Sequence, residues 1–287
     1  MDPPTTRAPC SKPAQRLLSA ALDASRAGDA ERALAALDRA VNLDGRCADA
    51  FRARGLLLME IGRLDRAAAD LDRAVRLAPD CARCELERGA AQLIRGRPEE
   101  ALSAFDRTLA LEPDLAAAHA SRAAALLRLR RPAEALEAIS IAVAARPDND
   151  GDVHNRAVVR TALGQHRQAI GDYERALAIN PKSGGSHNNL AWLLATAPDP
   201  ALRDGPRALR HARAALDLGC AAAWLDTLAA AHAECGDFEA AVRAEAEACR
   251  RPGRRNEAFC QRLQAYQKGL SYAAWRERRR AGHGRSS

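Results

Sequence analysis

The residues of this chain that could do chemistry are few, and their spacing says which chemistry to expect. Cys81 and Cys84 form a lone CxxC. Tetrahedral zinc needs two further ligands, and the nearest in sequence is Cys47, 34 residues back, so no metal site is expected. The run Asp148, Asp150, Gly151, Asp152 has the acidity of a calcium loop, but the glycine is misplaced and the twelfth position is Val159, so it reads as a turn. No serine, cysteine or histidine stands in a nucleophile motif, no glycine-rich phosphate loop is present, and the seven histidines are scattered. An enzyme is not expected, and neither is a cofactor. Arg54, Arg88, Arg122 and Arg156 recur every 34 residues. They could form a basic stripe, but Asp70 and Asp172 stand sixteen residues beyond Arg54 and Arg156, which favours arginines paired between helices. This reading leaves Arg88 and Arg122 unexplained.

The recurrence that spaces the arginines also spaces the elements that carry them. Small residues fall at Ala33, Ala67, Ala101, Ala135 and Ala169, and larger ones at Leu37, Leu71, Phe105, Ile139 and Tyr173. A turn residue closes each unit at Gly45, Pro79, Pro113, Pro147 and Pro181. Each unit carries two helical patterns, as in Val153 to Ala162 and Gln168 to Ile179 with Gly164 between them. A proline inside a helix costs roughly 3 kcal/mol, so those at the unit ends mark turns. Pro98 and Pro132 instead suit the first turn of a second helix. A helix pair of this size cannot bury its apolar face alone, so the units must stack.

On these residues the chain resembles the tetratricopeptide repeat family. The family pattern wants a small residue at position eight of the unit, supplied by Gly55, Gly89, Ala123 and Ala157. It wants glycine near fifteen, supplied by Gly28, Gly62, Gly96 and Gly164, with Arg130 departing from it. The resemblance runs from about residue 14 to 249 and implies an all-α, right-handed α-solenoid of about seven helix-turn-helix repeats with a C-terminal capping helix. The expected units are 14–47, 48–81, 82–115, 116–149, 150–183, 184–221 and 222–249. The sixth carries a five-residue insertion, and the seventh looks frayed, because Glu245 stands where a large apolar residue is expected.

Outside the repeats, residues 1–13 read as a disordered leader, 250–275 as the cap and 276–287 as a basic disordered tail. Phe259, Leu263, Tyr266 and Leu270 share one face of the cap. The net charge of +7 is uneven. From Arg250 onward eleven Arg or Lys face two Glu, giving +9, and the preceding residues carry 33 minus 35, or −2. No apolar run at the N-terminus suggests a signal or a membrane span, so a reducing cytoplasm is the expected setting, and the eight cysteines are read as thiols.

In the family, the concave wall is lined by the first helix of every unit, chiefly at positions two, five, six, nine, twelve and thirteen. Carried onto this chain, that implies a peptide-binding groove with His154, Asn155, Asn188, Asn189, Trp192 and Asp226 in the later units, and Arg52 and Glu87 earlier. An asparagine amide can donate to one backbone carbonyl and accept from one N–H of an extended peptide. Asn155 and Asn189 share position six and resemble the asparagine ladder of O-linked N-acetylglucosamine transferase. Trp192 at position nine could anchor a ligand. The lysine and asparagine of the chaperone-tail carboxylate clamp have no counterpart, since position nine reads Leu22, Leu56, Ala90, Ala124, Val158 and Trp192. The expected function is a bacterial scaffold or adaptor for a protein or peptide partner. The alternative is a nucleic acid or acidic partner bound by the basic tail.

Overall fold

A computed structural model describes residues 10–219, 222–250 and 257–283. Residues 1–9 of the expected leader and 284–287 of the expected tail lie outside the described residues. The chain divides into two compact halves, 1–145 and 146–287. The described residues are all helical apart from turns, with sixteen α-helices and one short 3-10 turn among them.

In the N-terminal half four antiparallel pairs follow one another: α1 (Lys12–Arg26) with α2 (Ala30–Leu43), α3 (Ala48–Glu60) with α4 (Leu64–Leu77), α5 (Ala82–Ile94) with α6 (Pro98–Leu111), and α7 (Ala116–Arg128) with α8 (Pro132–Ala145). The C-terminal half has three more: α9 (Asp150–Ala162) with α10 (His166–Ile179), α11 (Gly184–Thr196) with α12 (Gly205–Leu218), and α13 (Ala222–Glu234) with α14 (Phe238–Arg250). Two single helices end it, α15 (Glu257–Gln267) and α16 (Tyr272–His283).

The repeat pattern has a direct packing cause. Position twenty, occupied by Ala33, Ala67, Ala101, Ala135, Ala169, Ala208 and Ala241, is fully buried in every pair. There a larger side chain would force the helices apart. Position eight is small because the large side chain at twenty-four lies on it. A Cβ added at Gly89 would sit 2.5 Å from Cε1 of Phe105, and one at Gly55 would sit 2.8 Å from Cγ of Leu71. Between the helices of a pair, Gly28, Gly62, Gly96, Gly164 and Gly236 take positive φ. In the fourth pair Arg130 adopts φ 60°, so the turn keeps its left-handed shape without its glycine. In the sixth, the inserted residues form the 3-10 turn Pro200–Leu202, and Asp204 then caps α12 by accepting from the N–H of Arg207 at 2.9 Å.

Three expectations are corrected. First, residues 10–13 are not a disordered leader. α1 begins at Lys12, the Ser11 N–H donates to Asp44 at 2.7 Å, and Cys10 is disulfide-bonded to Cys47. Second, the cysteines are not all thiols, because Cys81 and Cys84 are also joined. Cys235, Cys249 and Cys260 are free among the described residues. Third, the basic stretch from Arg276 continues as helix to His283. Ser271 caps that helix, the ring of Tyr272 meets Trp192 of α11, and Trp275 lies beside Tyr272 on the same helix.

Candidate functional site

The candidate face is formed by the first helices of the C-terminal half, α9, α11 and α13. On α9, the Nδ1 atom of His154 lies 2.8 Å from the Ser186 hydroxyl, which also accepts from the Ser183 hydroxyl at 2.9 Å. Burial holds the His154 pKa below the usual histidine range, so the ring is neutral and presents one N–H. Its neighbour Asn155 is exposed.

On α11 the two asparagines differ. Asn189 is half-buried beside the hydroxyl of Tyr173, a ring buried between α10 and α11, and its Oδ1 is occupied by Asn188. Asn188 donates from its amide nitrogen to Asn189 Oδ1 at 3.2 Å, and its own Oδ1 is buried without a partner among the described residues. Asn155 and Asn189 therefore do not form two equivalent rungs. Below them His187 and His211 share a proton between Nδ1 atoms 2.9 Å apart. Burial, with the neighbouring His187 second, pushes His211 down to about 4.

Asp226 on α13 is not a groove donor. It is buried and accepts from Nε of Arg262 at 2.5 Å, an arginine of α15. The same guanidinium lies 3.5 Å from Glu245, whose side chain is fully buried. Glu245 occupies position twenty-four, where other pairs hold Phe105 or Tyr173. Its carboxyl has been pushed up to about 9, first by burial and then by Asp226, and it is therefore protonated. Arg262 lies within reach of both carboxyls, donating to Asp226 and standing 3.5 Å from Glu245. Tyr266 closes the cluster with a 1% exposed ring, and burial pushes its hydroxyl pKa upward. The seventh pair is thus not frayed. α15 covers it through Arg262, Ala265 and Tyr266, while Phe259 and Leu263 stay half-buried.

Trp192 is half-buried and covered. The ring of Tyr272 on α16 meets it edge-on at 5.0 Å, and Arg262 lies 5.8 Å from its centroid. Nothing in the sequence marked Arg262 or Tyr272 as neighbours of the candidate face.

In the N-terminal half, Arg52 donates to Glu87 at 2.9 Å from one first helix to the next, and Arg83 also reaches Glu87. These charges already satisfy one another. The arginine recurrence is accounted for in full. Arg54 makes a two-pronged bond to Asp70 at 2.7 and 2.8 Å and also binds Asp38. Arg156 does the same with Asp172 at 2.8 and 2.6 Å. Arg122 turns back to Asp106, sixteen residues before it, and Arg88 takes Glu85 on its own helix. The spacing of sixteen residues works in both directions along the chain.

Residues 18–81 and 86–150 match the model of a family described as Tetratricopeptide repeat. No curated protein matches the sequence. Among solved structures, a tetratricopeptide repeat protein from Parabacteroides merdae is 14% identical, with a TM-score of 0.69 over 90% of this chain and 100% of that one. Pseudomonas aeruginosa pilF is 20% identical, with a TM-score of 0.64 over 76% of this chain and 96% of its own. MamA from Desulfovibrio magneticus is 18% identical, with a TM-score of 0.55 over 61% and 98%. The register of small residues, the paired helices and these matches agree, and the chain is a tetratricopeptide repeat protein.

Proposed function

We propose that the protein is a non-catalytic adaptor that binds a peptide or helical segment of a partner protein on the face of α9, α11 and α13. The observation that carries this reading is the buried Oδ1 of Asn188, an acceptor without a donor among the described residues, on the helix that also carries the half-buried Trp192. A buried acceptor left unsatisfied costs about 1–3 kcal/mol, and a backbone N–H of a ligand would remove that cost. The reading is tested by capturing partners with the full chain and measuring their affinity for Asn155→Ala and Asn188→Ala together. A loss of roughly 1–3 kcal/mol with unchanged melting temperature supports it. An affinity indifferent to both changes, but steeply reduced by salt and by neutralising Arg276, Arg278 and Arg279, counts against it and for the nucleic-acid alternative. Arg276 over the Tyr272 ring, and Arg279 over Trp275 and bonded to Gln261, weaken that alternative because they are engaged within the protein.

No helix among the described residues is long and apolar enough to cross a membrane. A bacterial cytoplasm remains part of this reading, and it requires the Cys10–Cys47 and Cys81–Cys84 bonds to be open in the cell. Thiol labelling of the protein in its host decides the point: four reactive cysteines at these positions support the cytoplasm, and blocked ones contradict it.

A further inference from the structure

We infer that α16 is a ligand the protein carries for its own binding face, and that the Trp192 surface accepts from a partner a helix of the same chemistry. That chemistry is basic and amphipathic, with two aromatic side chains three residues apart. The inference rests on the reading of the first-helix face as a peptide-binding surface.

The two terminal helices are held in different ways. α15 is locked by buried groups, with Arg262 between Asp226 and Glu245 and with Tyr266 closed over them. α16 has no buried side chain from Tyr272 to Arg279, where five half-buried residues are followed by three exposed ones. A repeat that continued the array would set α16 antiparallel on α15 with a full interface. Instead its first turn reaches back to α11, placing Tyr272 on Trp192. The fit is incomplete, because a cleft of about 60 Å³ remains between Thr196, Pro198 and Arg203 on one side and Ala273, Arg276 and Glu277 on the other.

Within α16 the side chains are arranged as in a recognition helix. Tyr272 and Trp275 lie 5.5 Å apart, with Arg276 over the first ring at 5.8 Å and Arg279 over the second at 5.1 Å. Aromatic anchors flanked by arginine are the side chains that carry most binding energy at protein interfaces. The joint between the helices is short and permissive. Gly269 has φ +67°, its N–H closes α15 on Tyr266, and Ser271 starts α16 two residues later. Release of α16 breaks the Tyr272–Trp192 contact and the Arg279–Gln261 bond and leaves the Arg262 bond to Asp226 in place. A twelve-residue helix is marginal alone, so its docked form competes with release.

The test uses the full chain and a labelled synthetic peptide corresponding to Ser271–His283. Three proteins are compared by fluorescence anisotropy: the wild type, Tyr272→Ala with Trp275→Ala, and that double variant carrying Trp192→Ala as well. The double variant is expected to bind the peptide at least tenfold more tightly than the wild type. Trp192→Ala is expected to reverse the gain, and a peptide with both aromatics replaced by alanine is expected not to bind. Equal binding by the wild type and the double variant, or binding by neither, overturns the inference. Hydrogen exchange on the unmodified protein gives a second reading independent of variant folding. Amides of α16 exchange at least tenfold faster than those of α15 if α16 is displaceable, and protection equal to that of α15 overturns the inference. Failure here leaves the Asn155 and Asn188 test untouched, since that test reads a captured partner and not α16.

Discussion

Arg130 and Glu245 each occupy a place the repeat pattern reserves for another residue type, and each makes a measurable difference. Arg130 holds φ 60°, a conformation that costs a non-glycine residue about 1–2 kcal/mol. Glycine removes that strain and loses part of the gain to chain entropy, so Arg130→Gly is expected to stabilise the protein by about 0.5–1 kcal/mol in denaturant melts. Glu245 is protonated when folded and ionised when unfolded across a wide range of pH, because burial and Asp226 have raised its pKa from 4.5 to about 9. The folded state binds the extra proton, so the stability it contributes is complete below pH 4.5 and falls as pH rises towards about 9. Glu245→Gln keeps the hydrogen-bond donor and removes the titration. Its melting temperature is expected to lack the decline that the wild type shows over that range, and parallel profiles would contradict the assignment. Both departures were visible in the sequence, but neither could be explained there. The partner of Glu245 is Arg262 on another helix, and nothing in the repeat register places it.

At the scale of elements, the two ends of the described chain are secured by different chemistry. α1 is tied to the loop before α3 by Cys10–Cys47, a link between residues 37 apart in sequence. Closing a loop of that length contributes about 2–4 kcal/mol. Cys10→Ser is therefore expected to speed amide exchange in α1 by about two orders of magnitude while leaving α5 unchanged. At the other end, truncation after Arg250 strips Tyr266 and Arg262 from the last pair and leaves Glu245 and Asp226 uncovered. A lower melting temperature and aggregation are expected, and a soluble variant of equal stability would show that α15 is no cap. The helix pairs were legible in the sequence because their small and large positions repeat with a fixed period. The docking of the final helix was not, since it depends on Tyr272 meeting Trp192 from eighty residues away and has no period to announce it.

Over the molecule as a whole, near-neutral repeats and a basic C-terminal segment divide the charge, and the segment's arginines are partly employed on its own aromatic rings. The fold was legible because a repeat array states the same packing problem seven times. The face was legible only in part. Position numbers carried over from the family located His154, Asn155, Asn188 and Trp192 on first helices. They could not show that Asn189 is occupied by Asn188, that Asp226 serves Arg262, or that Arg52 and Glu87 neutralise each other. What remains for a ligand is a small polar group beside a covered tryptophan. The measurement that bears most directly on this account is isothermal titration of a captured partner segment against the wild type and against Asn155→Ala with Asn188→Ala. The account predicts that the double variant weakens binding about 5- to 150-fold at unchanged melting temperature, the equivalent of roughly 1–3 kcal/mol. Equal affinity for the two proteins would contradict it.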